Sequence, residues 1–163
     1  KVAIIQDDTA GTLQDKLPQI GAELLLQTLQ QAEQGTLRQI PQNHAAATYA
    51  RLLKKEDGQI DWEEPATRID HKVRGCLPWP GAYTHFQGKT VKLLQVKVTQ
   101  WPLTASLPTP GTVVALDNTA GPLIATGEGC IQILEIQPEN KKPMRCSDFC
   151  RGYHLAVGDR LNT

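Results

Sequence analysis

The sequence is marked first by what it lacks. It has no net charge, because 17 Lys and Arg balance 17 Asp and Glu over 163 residues. Whole-chain charge therefore does not single out a polyanion as a partner. There is no apolar run long enough to span a bilayer and no charged-then-apolar signal segment, so a soluble, cytoplasmic chain with no membrane partner is expected. The four cysteines, Cys76, Cys130, Cys146 and Cys150, fit no zinc-ligand spacing and are expected as reduced, packed thiols. A Gly-rich phosphate loop, a serine in a nucleophile elbow and a His-Glu-x-x-His pair are all missing. Asn43-His44 is the one adjacent pair that resembles a catalytic site, and it lies in a stretch without pattern, where a solvated role is expected. Asp7-Asp8 and Glu63-Glu64 each precede a helical pattern and serve as partners of the helix dipole. No catalytic residue and no metal ligand is assigned.

What is present is uneven. Residues 1–63 carry a net charge of −3 and residues 64–163 a net charge of +3. A hydrophobic share of 40% permits a packed core. Val2-Ala3-Ile4-Ile5 has the pattern of a buried strand. Asp7-Asp8-Thr9 then offers a helix N-cap. Leu13, Leu17, Ile20 and Leu24, with Leu25, Leu29 and Ala32, recur at helical spacing. Pro18 costs that helix a hydrogen bond, and Gly35 ends it. One strand and one amphipathic helix cannot bury their apolar faces on each other alone. Residues 1–35 are therefore expected to be the tail of an α/β domain whose body lies elsewhere. Residues 36–63 lack any sustained period and are expected to be a linker.

The remainder, 64–163, is expected to be a mainly β domain with a leading helix. The helix covers 64–77, with Pro65 in its first turn and Ile69, Val73 and Cys76 on its buried side. Strands follow at 82–86, 89–100, 112–116, 123–126 and 130–137. The first two join across Gln87-Gly88 and the last two across Gly127-Glu128-Gly129. In 89–100 the apolar positions change face between Leu93 and Leu94, and in 130–137 between Ile133 and Leu134. A period-2 pattern that changes phase implies a bulge or sharp coil. Strands that bend this way suit a small closed, OB-like barrel. A short helix at 147–152, capped by Ser147, completes the domain.

Two surface features carry the functional expectation. Pro78-Trp79-Pro80-Gly81-Ala82-Tyr83 places two aromatics in a rigid turn. Trp79 is expected to plug the core between helix and barrel, and the alternative is a stacking platform for bases. Lys141-Lys142-Pro143-Met144-Arg145 is a basic loop that either faces solvent or holds phosphates without reading sequence.

These motifs together resemble the methionyl-tRNA formyltransferase family. The matching stretches are Asp8-Thr9-Ala10-Gly11-Thr12-Leu13, Gly21-Ala22-Glu23-Leu24-Leu25, Thr48-Tyr49-Ala50, Lys55-Glu56-Asp57-Gly58 with Ile60-Asp61-Trp62, Pro78 to Thr84, and Lys141-Lys142-Pro143-Met144. The sequence departs from the family pattern at Leu52, where lysine is usual, at Leu77, where asparagine is common, and at Asn140, where glycine is usual. The resemblance implies a Rossmann-like catalytic domain whose last strand and helix are residues 1–35, then a linker, then an OB-like barrel. It implies formyl transfer from 10-formyltetrahydrofolate to the amino group of initiator methionyl-tRNA. The family's Asn, His and Asp catalytic residues have no counterpart here, so the chain is expected to be a piece of a larger enzyme, inactive and without cofactor by itself. Its expected role is to orient tRNA toward the missing catalytic domain through Lys54, Lys55, Arg68, Lys72, Arg74, Lys89, Lys92, Lys141, Lys142 and Arg145. The alternatives are a sugar-nucleotide formyltransferase fragment and a free-standing RNA-binding barrel.

Overall fold

A computed structural model describes residues 1–100 and 108–162. The chain divides into two compact units, residues 1–53 and residues 54–163. In the first unit, helix α1 spans Ala10–Glu33. Its start is a reciprocal cap: Thr12 N–H donates to Thr9 Oγ1 at 3.1 Å and Thr9 N–H donates to Thr12 Oγ1 at 3.0 Å. Asp8 is buried beneath this cap. Its carboxylate accepts from Ile5 N–H at 2.9 Å, from Thr12 Oγ1 at 3.0 Å, and from Lys16 Nζ. The helix ends at Gly35, whose φ of +67° suits a residue without Cβ. Thr36 N–H then reaches back to the Gln31 carbonyl at 2.9 Å.

The expected strand over 2–5 does not form. A strand needs a neighbour for its backbone groups, and no described residue pairs with this segment; Ile4 and Ile5 are exposed. No residue of α1 is buried, and Leu17, Ile20, Leu24, Leu25, Leu26 and Leu29 are all exposed. The apolar pattern is real, but this unit holds nothing for it to pack on. Asn43 caps a single 3₁₀ turn at His44–Ala46 by accepting from Ala45 N–H at 3.1 Å, and the His44 side chain is exposed.

The second unit opens with a 3₁₀ turn at Lys55–Gly58, then α2 at Ala66–Gly75. Five main strands follow: β1 Ala82–Phe86, β2 Lys89–Thr99, β3 Val113–Asp117, β4 Gly121–Ala125 and β5 Cys130–Pro138. A two-residue strand β6, Met144–Arg145, leads into α3 at Cys146–Tyr153. These strands pair antiparallel, in the order β1-β2-β5-β4-β3, with β6 on β5. Gln87 and Gly88 both take positive φ, +50° and +72°, which is the twist a tight hairpin requires. Pro65 is the N-cap of α2 rather than a first-turn residue, and α3 begins one residue before Ser147. The side chain of Asp117 closes the β3–β4 turn by accepting from Thr119 N–H at 2.8 Å and Ala120 N–H at 3.0 Å.

The phase change expected in two strands is present in both. The β2–β5 register skips Leu94 and Leu134, and pairs Leu93 with Ile136 and Val96 with Ile133. Both strands therefore coil at the same level. The sheet is nevertheless open among the described residues, because β1 and β3 do not pair. This corrects the expected closed barrel. The gap between its edges is spanned by the last described residues, 159–162. Asn162 N–H donates to the His85 carbonyl at 2.7 Å on β1, while Leu161 N–H donates to Gly111 at 2.9 Å, and Val113 N–H on β3 donates to Asp159 at 2.8 Å. The strand edges are thus satisfied by an irregular segment rather than by a sixth full strand.

The core also begins earlier than the expected boundary at residue 64. Ile60 and Trp62 are 1% and 3% exposed and pack with Ile69, Val73, Leu93, Ile131 and Phe149. Trp62 Nε1–H donates to Thr84 Oγ1 at 3.1 Å, and Thr84 Oγ1 donates to Asn162 Oδ1 at 2.9 Å. Ile60 N–H donates to the Tyr83 carbonyl at 2.8 Å, and Gly127 N–H to the Trp62 carbonyl at 2.9 Å. Residues 59–62 therefore run as a strap from β1 to the β4–β5 turn.

Two predictions follow from these contacts. Thr84 is fully buried, so Thr84→Val strands the Trp62 indole donor and should cost about 1–3 kcal/mol. Urea unfolding of the chain should show a lower midpoint with an unchanged slope; an unchanged midpoint would show that the pair contributes nothing. The second concerns acid. Hydrogen bonding to Lys16, then to the Ile5 N–H, holds the Asp8 carboxyl at about 2, below its ordinary 3.8. The Ala120 N–H, then Thr119, does the same for Asp117, also to about 2. Both pKa values are lowered in the folded state, so their stabilisation is complete above about pH 4 and is lost as pH falls through about 2. Carboxyl resonances of both residues followed by NMR should titrate near the lower value.

Candidate nucleic-acid interface

Opposed residues of an antiparallel pair share a face of the sheet. The register therefore places Tyr83, Lys92 and Gln137 in one row across β1, β2 and β5. Their neighbours Ala82, Thr84, Val91, Leu93 and Ile136 are buried, so this row is on the outward face. His85, two residues beyond Tyr83, meets its ring edge-on with centroids 5.8 Å apart. The Lys92 side chain runs beside Gly81: a Cβ there would lie 3.4 Å from Lys92 Cδ and 3.6 Å from Nζ. The 3₁₀ turn at Lys55–Gly58 packs on the start of this row, where a Cβ on Gly58 would lie 2.1 Å from the Gly81 carbonyl oxygen and 3.4 Å from the Tyr83 ring. Lys54 and Lys55, both exposed, thus stand at the edge of the Tyr83–Lys92 face.

A second group gathers at the other end of the hairpin. Glu139 N–H donates to the Thr90 carbonyl at 3.1 Å and ties the β5–β6 turn to β2. That tie brings Lys89 and Lys141 to one cavity. The turn is held by Gln137 Nε2, which donates to the Lys141 carbonyl at 2.9 Å, and by Lys141 N–H, which donates to Pro138 at 3.1 Å. Asn140 takes a φ of +58°. Asparagine tolerates this left-handed conformation better than most residues, which accounts for its standing where the family usually has glycine. Lys142 is exposed beside this turn, and Arg145, also exposed, lies opposite Glu135 across β6 and β5.

The three cations of α2 are placed differently. Glu64 is 3.6 Å from Arg68 Nε and 3.4 Å from Lys72 Nζ, and Lys72 Nζ also donates to the Gln59 carbonyl at 3.1 Å. Arg74 Nε donates to Asp70 Oδ2 at 3.0 Å. Their charge is already partnered, and Lys72 and Arg74 are mostly covered. By contrast, none of Lys54, Lys55, Lys89, Lys92, Lys141, Lys142 and Arg145 forms an ion pair among the described residues. The expected basic surface is therefore two groups, Lys54, Lys55 and Lys92 at the outward face with Tyr83, and Lys89 and Lys141 at the hairpin end, where Lys89 pairs with the inward Phe86; the cations of α2 already have partners.

Trp79 is 59% exposed. This corrects its expected place as a core plug, because Trp62 is the indole that the core takes and Pro80 is the residue beside Trp79 that turns inward. Trp79 is left on the surface one turn before Tyr83. The cysteine thiols are shifted in opposite directions: the hydrogen bond with Cys146 lowers Cys150. Burial raises Cys76 and Cys130, and hydrogen bonding with Cys150 together with burial raises Cys146. Sequence reasoning missed Tyr153 and Glu139, which line the cavity with Lys89 and Lys141. The i,i+4 spacing of Phe149 and Tyr153 on a helix was the available signal.

An antiparallel sheet with flanking helices is the architecture shared with solved structures of HypX from Aquifex aeolicus. A multiply substituted HypX variant superposes with a TM-score of 0.65 at 19% identity, over 95% of this chain and 28% of that one. HypX in complex with tetrahydrofolic acid gives 0.58 at 23%, over 83% of this chain and 23% of that one. The domain family described as "Formyl transferase, C-terminal domain" matches residues 52–154, and the chain belongs to that family. Among its relatives, the methionyl-tRNA formyltransferase of Carboxydothermus hydrogenoformans is 43% identical over 98% of this chain and 50% of its own length. Those of Roseiflexus sp. and Synechococcus elongatus are 39% and 41% identical, over 98% and 95% of this chain and 48% and 51% of their own lengths. The chain spans about half the length of the curated relatives it matches. No helix among the described residues is long and apolar enough to cross a membrane.

The contact between Gly58 and β1 gives a test of how the lysine turn is positioned. Gly58→Ala forces the turn away from the Gly81 carbonyl, since a Cβ at 2.1 Å from a backbone oxygen has no room. Thermal unfolding should fall clearly for this variant and stay within about 0.5 kcal/mol for the surface change Lys55→Ala. Equal stability of the two would show that the turn does not need this close approach.

Proposed function

We propose that this chain is the C-terminal, tRNA-orienting part of a methionyl-tRNA formyltransferase. In this reading the whole enzyme moves a formyl group from 10-formyltetrahydrofolate to the amino group of initiator methionyl-tRNA in the cytoplasm. Residues 1–35 belong to the end of its Rossmann-like catalytic domain, and the coiled sheet is an OB-like, partly open barrel. Groups that catalyse transfer lie in the catalytic domain, and this chain by itself transfers nothing. What its own residues do is hold the polyanion. Lys92 beside Tyr83 and His85, with Lys54 and Lys55 at one edge and Lys141, Lys142 and Arg145 at the other, neutralises phosphates and fixes the direction in which the acceptor arm points.

The observation that carries this reading is the distribution of unpaired cations. Lys92 lies on the outward face of β1–β2–β5, Lys54 and Lys55 at its edge and Lys89 and Lys141 at the hairpin end, while the cations of α2 are committed to Glu64 and Asp70. The names of the relatives at 39–43% identity point to the same ligand. Phosphate contacts of this kind release counterions, so affinity falls with salt by about 0.9 in log–log slope per phosphate on duplex DNA and about 0.7 on single strands.

Binding of initiator tRNA to the chain, followed by fluorescence anisotropy across a salt series, tests the proposal. Lys92→Ala, Lys141→Ala and Lys142→Ala should each weaken binding and each reduce the slope by up to about 0.9. Arg68→Ala should change both far less. Absence of binding at low salt, or binding indifferent to salt, would defeat the reading.

A further inference from the structure

The cavity between the β1–β2 hairpin, the β5–β6 turn and α3 has a composition that simple phosphate neutralisation does not need. It encloses about 230 Å³. One side is aromatic. Phe149 is buried in the core, and Tyr153 stacks on it with centroids 4.3 Å apart and planes 20° from parallel. Phe86 meets Phe149 edge-on at 6.1 Å. Tyr153 itself is only half-buried and lines the cavity together with the buried Pro138. The other side is charged: Lys89 comes from the hairpin turn, and Glu139 and Lys141 come from the β5–β6 turn. The backbone bond from Glu139 to Thr90 fixes these two turns against each other.

Each simpler ligand class leaves part of this arrangement unused. A purely apolar group would bring no partner to two lysine ammonium groups. A bare anion would not use the Tyr153–Phe149 stack. The volume is below the roughly 300–1,000 Å³ of sites for drug-sized ligands, so it suits one ring system rather than several. A ring with an attached phosphate satisfies both walls.

We propose that this cavity binds one unpaired nucleotide of an RNA, with its base against Tyr153 and its phosphate between Lys89 and Lys141. This rests on the tRNA reading above and adds to it a site for a single base. Glu139 is a hydrogen-bond acceptor only. It therefore favours a base that carries an exocyclic amine (adenine, cytosine or guanine) over uracil, which offers only its ring N3–H. Lys92, Lys54 and Lys55 hold duplex phosphates on the sheet face, whereas this cavity takes a nucleotide that has left the stack.

The test uses the isotope-labelled 163-residue chain titrated by NMR with adenosine monophosphate, uridine monophosphate and inorganic phosphate. Adenosine monophosphate should shift the amides of Thr90, Asn140, Lys141 and Tyr153, and uridine monophosphate should bind more weakly. Tyr153→Ala should weaken adenosine monophosphate about five- to 150-fold, the range that one base–aromatic stack spans. Because that change also loosens α3, Lys89→Ala and Lys141→Ala serve as surface variants that keep the fold, and both should weaken binding. Identical shifts from phosphate alone would reduce the cavity to an anion site and overturn the proposal, as would no shift at millimolar nucleotide. Parallel tRNA titrations separate the two readings. If tRNA binds but adenosine monophosphate does not, only the cavity assignment fails. If adenosine monophosphate binds but tRNA does not, the tRNA reading fails and takes the RNA assignment of the cavity with it.

Discussion

The second unit depends on a short hydrogen-bond chain through its core, from Trp62 to Thr84 to Asn162. Three segments far apart in sequence meet there: the strap before α2, the middle of β1 and the last described residues. Trp62 and Thr84 are buried, so neither the indole N–H nor the hydroxyl has water as an alternative partner. The hydroxyl accepts on one side and donates on the other, and this makes Thr84 the one side chain that satisfies both neighbours at once. An open five-strand path would otherwise leave β1 and β3 as exposed edges. With Asn162 held on β1 and Asp159 and Leu161 held on the β3 side, the terminal segment covers the gap. Backbone bonds of an irregular segment, pinned through the Asn162 side chain, stand in for strand pairing.

That arrangement sets what the outward face can present. The coil at Leu94 and Leu134 lets β2 and β5 bend together, so the inward residues on both sides of the coil reach one core. Outside, the same strands leave Tyr83, Lys92 and Gln137 in a single row. The 3₁₀ turn that makes the tight Gly58–Gly81 approach leads directly into the strap that carries Trp62, so the lysine turn is placed beside the contacts that complete the core. Position of charge at this face is a consequence of packing beneath it.

Much of this was legible in the chain. The strands, the Gln87-Gly88 hairpin and the coil in β2 and β5 follow from period-2 patterns and turn residues, which are local. The strap was not. Ile60 and Trp62 stand among polar residues with no repeat around them, and their burial is decided by β1 and the β4–β5 turn. The fate of Trp79 was misjudged for the same reason: two indoles flank α2 in sequence, and only tertiary packing shows that Trp62 takes the core. The strand over 2–5 has the composition of a buried strand, but strand pairing is a property of two segments. The basic candidates could be named from the sequence, yet their standing could not. Glu64 is as near in sequence to Arg68 as many unrelated pairs are, and only the helix start places it against both Arg68 and Lys72.

That pairing bears on the proposal that a chain of zero net charge holds a polyanion. A phosphate must displace whatever a cation already touches. An exposed, unpaired lysine gives up only its hydration and some side-chain freedom. Lys72 would have to leave both Glu64 and the Gln59 carbonyl, and the carboxylate left behind would repel the incoming phosphate. Exposed ion pairs are worth only about 0–1 kcal/mol, but at Lys72 the partner is half-covered and the competing contact is a backbone carbonyl that anchors the strap. Recruiting α2 for RNA would therefore loosen the segment that positions Lys54 and Lys55. The sheet face has no such conflict: Lys92 lies along Gly81 without an acidic partner, and the Lys141 turn is held by Gln137 through its backbone, which leaves the ammonium group free to act. In the proposed reading, division of labour between structural and available cations, rather than net charge, is what would let this domain meet a nucleic acid.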